Sequence, residues 1–155
     1  MKRLLWTVLL LVSATPVSAQ NYGPQPEPAV RDRILAIREG AWRSWFANDE
    51  RAFREIVPAE LVALDMEGGP WSDQAATIAK MRAFATSGKK LVRLEFPRNV
   101  FQQYGDVVIL YSTFVVVLEA PEGKRERLEG RGTEIFVHKG TAWTHTGWHL
   151  DTVTR

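Results

Sequence analysis

Val107-Val108-Ile109-Leu110-Tyr111-Ser112-Thr113-Phe114-Val115-Val116-Val117-Leu118 is the stretch that decides how this chain folds. β-Branched and aromatic residues fill both of its alternating sets. Val107, Ile109, Tyr111, Thr113, Val115 and Val117 point one way, and Val108, Leu110, Ser112, Phe114, Val116 and Leu118 the other. A strand that is apolar on both faces is expected to be covered on both. Helices supply one cover. A second copy of the chain, meeting the first through the sheet, is the simpler supply for the other, so a homodimer is expected.

The same period of two extends to either side. Strands are expected over Lys90–Gln102, Val107–Glu119, Arg125–Val137 and Trp143–Val153, separated by turns at Tyr104-Gly105-Asp106, Pro121-Glu122-Gly123-Lys124 and His138-Lys139-Gly140-Thr141. Before Gly88 the period is helical. Ile34, Ile37, Ala41 and Trp45, flanked by Leu35, Trp42 and Phe46, form a stripe within Ala29–Asn48. The stripe widens towards its C-terminal end, which is therefore expected to lie deepest. A second helix spans about Glu50–Val57 and stops at Pro58. Leu61–Asp65 reads as a short strand, and Ser72 or Asp73 caps a third helix ending near Ser87. The expected fold class is α+β, three helices followed by a four-stranded antiparallel meander. The alternating charges of Lys124–Glu129 suit a solvated edge or hairpin tip guarded against strand addition.

The chain has 155 residues with a net charge of +2. Lys2 and Arg3, the apolar run Leu4–Val12 and the small-residue ending Pro16-Val17-Ser18-Ala19 form the pattern of a cleavable signal peptide over residues 1–19. The run is too short for a membrane span of about 20 apolar residues, so no membrane anchor is expected after cleavage near Ala19–Gln20. Removing Lys2 and Arg3 takes the 20 Lys and Arg to 18, against 18 Asp and Glu. The exported chain is then neutral, which argues against a nucleic-acid partner. The expected location is periplasmic or secreted. Residues 20–28, with Pro24, Pro26 and Pro28, read as a flexible leader, and residues 29–155 as one domain. The absence of cysteine excludes disulfides, thiol chemistry and thiolate metal sites.

Several pieces together resemble the nuclear transport factor 2-like superfamily, which includes SnoaL-like polyketide cyclases, ketosteroid isomerase relatives and uncharacterised exported members. They are Trp42-x-x-Trp45-Phe46-x-Asn48-Asp49 followed by Phe53, then Tyr104-Gly105-Asp106-Val107-Val108, Arg131-Gly132-Thr133-Glu134-Ile135-Phe136-Val137, Gly140-Thr141-Ala142-Trp143, and Trp148-His149-Leu150-Asp151. The resemblance implies a cone-shaped α+β barrel, a curved sheet wrapped on a long helix, with an open end that holds a small apolar ligand. It implies no particular reaction. Uncharacterised members end in His-x-Ser where this chain has His149-Leu150-Asp151, a carboxylate in place of a hydroxyl.

Strand parity carried around the last turn puts Glu134 and Phe136 on one face with Trp143, His145, His149 and Asp151, and puts Trp148 and Leu150 on the other with Thr133, Ile135 and Val137. The first set mixes aromatics with imidazoles and carboxylates, the composition of a cavity with a few polar groups. The expected ligand-binding residues are Trp42, Trp45, Phe46, Tyr111, Glu134, Phe136, Trp143 and His145. The acid–base candidates are His149 with Asp151, or Asp65 near the Gly68-Gly69-Pro70 turn. On one strand His145 and His149 stand about 13 Å apart, too far for one ion, so no metal and no cofactor are expected. Three functions fit: a binding domain without an assignable reaction, a cofactor-free isomerase, cyclase or hydratase, and an interaction module whose sheet face binds protein.

Overall fold

The computed structural model describes residues 22–66 and 69–153. The expected signal segment, Gln20 and Asn21 lie outside them. Helices α1 (Pro28–Phe46) and α2 (Glu50–Ile56) precede a short strand β1 (Val62–Leu64) and helix α3 (Gln74–Thr86). Four long strands follow: β2 (Lys90–Tyr104), β3 (Val107–Glu119), β4 (Arg125–Lys139) and β5 (Ala142–Thr152). Each helix starts where local chemistry allows. Pro28 occupies the first turn of α1, where a missing N–H costs nothing. The Asp49 and Asp73 carboxylates accept from Ala52 N at 3.0 Å and Ala76 N at 2.8 Å, so both are caps. Asn48 enters α2 through a left-handed turn at φ 56°.

The sheet has the order β1-β5-β4-β3-β2. The meander is antiparallel as expected, but β1 adds to β5 in parallel, with Ala63 opposite Trp148, so the sheet is mixed. β1 and β2 are its two edges and do not pair with each other, so the α+β cone expected for this fold is open-sided and not a closed barrel. Register shifts in β2 flank Val92 and the Phe96-Pro97 step. An edge strand tolerates a proline that donates no ladder bond. The charged run Lys124–Glu129 belongs to the β3–β4 hairpin tip and not to a sheet edge, with Arg125 against Glu119 and Arg127 against Glu129.

The residues expected as a mobile leader lie along β2. Pro24 O accepts from Gln103 N at 2.9 Å, Gln25 Nε2 donates to Phe101 O at 2.9 Å, and Gln102 Nε2 donates to Tyr22 O at 2.6 Å. Pro24 and Pro26 hold the segment extended, and an edge strand offers it unpaired backbone groups.

Helix α1 packs across one face of the sheet, and its two halves differ. Ile34 and Ile37 pack tightly on Phe101, Leu110 and Phe136. Trp42, Trp45 and Phe46 are only partly buried, against Phe84, Phe96, Phe114 and Ile78. The deepest part of α1 is therefore its middle, Ile34 to Ala41, and not its C-terminal end, because the large rings there line a cavity. On β3 the set Val108, Leu110, Ser112, Phe114, Val116 and Leu118 is buried under the helices. The outer set, Val115 apart, stays partly exposed, with Tyr111 and the neighbouring Ile135 on β4 each 39% accessible.

Candidate functional site

A cavity of about 570 Å³ opens between α1, α3 and the β5 end of the sheet. Helix α1 contributes Trp42, Trp45 and Phe46, successive turns of one stripe, and α3 faces them with Thr77, Lys80, Ala83 and Phe84. The Phe84 ring lies 5.2 Å from Trp45 and 5.3 Å from Phe46. Strand β5 closes the third side with His145, Trp148 and Leu150, and Asp65 and Met66 stand at the mouth. This composition, mostly apolar with few polar groups, is that of a small-molecule site.

One residue sets which part of β5 faces the cavity. In the pairing with β4, Gly147 stands opposite Ile135 and His145 opposite Phe136, which leaves Thr146 without a partner residue. This is a β-bulge, one extra residue that turns the strand's alternation over. Before it Trp143 and His145 face inwards. After it Trp148 and Leu150 do, and His149 and Asp151 turn to the outer face. The single face expected for Trp143, His145, His149 and Asp151 is thus split in two, since a one-residue slip exchanges faces. Gly147 is the available sign, because an isolated glycine within a strand pattern often marks a bulge.

Behind His145 lies a buried polar cluster. Glu134 is 1% accessible; its Oε1 accepts from Trp42 Nε1 at 3.1 Å, and Ser112 Oγ donates to its Oε2 at 3.4 Å. Arg38 Nη1 stands 3.9 Å from Glu134 Oε2, while Arg38 Nη2 donates to Asn99 Oδ1 at 3.2 Å. The guanidinium lies 3.4 Å over the Phe96 ring. His145 is 1% accessible, stacked on Phe136 at 4.4 Å, with Nε2 3.7 Å from Glu134 Oε1. That separation is too long for a hydrogen bond. Neither ring nitrogen of His145 has a hydrogen-bond partner among the described residues.

Burial controls the protonation of this cluster. It pushes the Glu134 carboxyl up to about 7, against the opposing pull of Arg38, Trp42 and Ser112. It drives His145 down to about 3, helped by the positive charge of Arg38. The Arg38 guanidinium is itself lowered by burial. His145 is therefore a neutral imidazole at physiological pH, with one donor and one acceptor nitrogen.

Of the residues singled out from the sequence, Trp42, Trp45, Phe46, His145 and Asp65 line the cavity. Glu134 and Phe136 do not line it; they stand against Trp42 and His145, which do. Trp143 instead packs beside His138 at 5.0 Å. Tyr111 lies on the outer face, where its hydroxyl donates to Gln102 Oε1. His149 and Asp151 are also outside, 3.4 Å from each other and more than half exposed, so they meet neither the cavity nor Glu134. Asp65 is at the rim with both oxygens engaged, one accepting from Trp148 Nε1 at 3.1 Å and the other held by Lys80 at 2.5 Å. Sequence reasoning misses Arg38, Trp148, Leu150 and Phe84. A charged residue one turn after Ile34 on the apolar stripe is the signal for Arg38. The described residues contain no cluster of metal-ligating groups.

No protein-family model and no curated protein matches this sequence. The fold, however, is widely shared among solved structures. An NTF2-like protein of Cytophaga hutchinsonii superposes with a TM-score of 0.66 at 15% identity, over 79% of this chain and 98% of the other. Aln2 of a Streptomyces species gives 0.71 at 14% identity, over 82% and 93%. A putative calcium/calmodulin-dependent protein kinase II association domain of Xanthomonas campestris gives 0.68 at 12%, over 88% and 99%. At such identities it is the fold that is shared.

Proposed function

We propose that this chain, whose fold is that of the nuclear transport factor 2-like proteins, is an exported domain that holds a small, largely apolar molecule between α1, α3 and β5. The observation that carries the reading is the open space of about 570 Å³ walled by Trp42, Trp45, Phe46, Phe84 and Trp148. Packed interiors leave few voids larger than a water molecule, and indole and phenyl faces favour a flat apolar body. An interaction module with a filled interior fits this space poorly. The signal-peptide pattern of residues 1–19 supports export. Among the described residues no helix is long and apolar enough to cross a membrane.

The outer face of the sheet supports a homodimer as a second part of the proposal. Ile109, Tyr111 and Ile135 make an apolar strip there that the helices do not cover. An acid–base reaction without a cofactor is a second reading. The observation in its favour is His145 in the cavity wall with Glu134 3.7 Å from its Nε2; His149 and Asp151 lie on the opposite face and cannot serve it.

Native mass spectrometry of the protein purified from its own host tests the first reading. A retained apolar molecule is expected, and two subunits per particle. Ala83→Trp, which places an indole in the cavity wall, is expected to abolish retention and leave the subunit count unchanged. Retention unaffected by Ala83→Trp would overturn this placement of the ligand.

A further inference from the structure

Three indoles wall the cavity, and the N–H of each is already engaged. Trp42 Nε1 donates to Glu134 Oε1 at 3.1 Å, Trp45 Nε1 to the Thr77 carbonyl at 3.4 Å, and Trp148 Nε1 to Asp65 Oδ1 at 3.1 Å. The hydroxyls of the lining are engaged as well. Thr77 Oγ1, in a residue 2% accessible, donates to the Asp73 carbonyl at 2.8 Å, and Ser87 Oγ donates to the Phe84 carbonyl at 2.6 Å. His145 offers its ring but neither nitrogen, since both are closed off and Nε2 is turned to Glu134. The charged lining residues, Asp65, Lys80 and Lys89, each keep a quarter or more of the side chain in solvent. Among the described residues, every polar side chain of this cavity is therefore engaged by the protein itself, closed off or at the rim.

We infer that the cavity selects an amphiphile with one polar end: a flat hydrocarbon body, free of hydroxyl and other hydrogen-bonding groups, goes in, and a single polar group stays in water at the mouth. This rests on the proposed binding function and narrows its ligand class. A hydroxyl carried inwards gives up its bonds to water and meets no free donor or acceptor in the wall, so it loses affinity. Ring faces offer dispersion contacts to carbon instead. The indoles cannot adapt cheaply. Their bonds run to β4, to α3 and to the residue after β1, so turning an N–H towards a ligand breaks a tie between elements. The rim carries both signs, Asp65 beside Lys80 and Lys89, and accepts a polar head there. Sugars, polyols and hydroxylated ring systems are excluded by the same reasoning.

Calorimetric titration of the wild-type protein with 2-naphthoate, 6-methyl-2-naphthoate and 6-hydroxy-2-naphthoate tests this selectivity. The carboxylate of each probe is held at the mouth by its own solvation, so the 6-substituent at the far end of the rings is carried inwards. The methyl probe is expected to bind at least as tightly as the parent, and the hydroxy probe at least about 5-fold more weakly than the parent. Ala83→Trp is expected to abolish binding of all three. A smaller penalty on the hydroxyl overturns the inference and leaves the cavity reading standing. So does a methyl probe weakened as much as the hydroxy probe, because size and not polarity would then decide. Binding of none of the three, or binding that Ala83→Trp leaves unchanged, overturns both.

Discussion

Two imidazole–carboxylate pairs, one across β4 and β5 and one within β5, are opposites. His145 and Glu134 approach to 3.7 Å with each residue 1% accessible. His149 and Asp151 approach to 3.4 Å with both side chains more than half exposed. The two imidazoles are four positions apart on β5, and Thr146 lies between them. Composition and spacing make the exposed pair the more suggestive of the two. Burial makes the other one consequential, since removal from water shifts the ionisation of both partners and leaves both His145 nitrogens without a hydrogen-bond partner among the described residues. An exposed pair is screened by solvent and contributes little.

The contrast can be broken most severely at the bulge. Deleting Thr146 restores continuous pairing between β4 and β5, so either Trp143 and His145 or Trp148 and Leu150 must leave the core. The expected result is loss of the cooperative thermal transition, read by circular dichroism. A variant that melts within a few degrees of the wild type would show that the bulge does not set the face.

A smaller effect separates the two carboxylates. Glu134→Ala strands the Trp42 N–H and the Arg38 charge in a dry environment, and should cost about 3 kcal/mol in urea unfolding. Asp151→Ala on the exposed pair should change stability by less than about 0.5 kcal/mol. Equal losses would place the pairs on one footing and remove the contrast.

The smallest and most diagnostic effect is the pH dependence, taken as the difference between variant and wild type so that surface carboxylates cancel. The His145 imidazole stays neutral in the fold down to about 3, whereas an unfolded histidine takes its proton near 6.5. Its contribution is present above pH 6.5 and lost as pH falls towards 3. The Glu134 carboxyl, at about 7 in the fold against an ordinary 4.5, acts in the other direction and favours the fold as pH falls from 7 to 4.5. The two nearly cancel between pH 6.5 and 4.5. His145→Phe should therefore gain stability relative to the wild type on acidification across that window, and Glu134→Gln should lose it, by up to about 1.4 kcal/mol per pH unit. The same sign in both variants would refute the opposed titration.

Much of the architecture is readable because its signals are local. The period of two after Gly88, the caps Asp49 and Asp73 and the stop at Pro58 place the helices and the meander to within a residue or two of where they lie. The aromatic stripe of α1 is readable as far as its residues, but not as a cavity wall. A tryptophan at helical spacing looks the same whether it packs or faces a void, and only the position of α3 across from Trp45 and Phe46 separates the two. One cause makes Trp148 and Leu150 read as packing, and His149 and Asp151 as site residues. Parity counted through Thr146 treats the strand as regular.

By itself the sequence determined the elements, their order and the residues available to a site, because hydrophobic period, caps and turns act over a few residues. The tertiary structure alone decided that β1 joins β5 in parallel, that the sheet stays open, and that Thr146 turns His145 inwards and His149 out. Those outcomes depend on which backbone groups find partners across the sheet, and a single unpaired residue is enough to exchange the two faces of a strand.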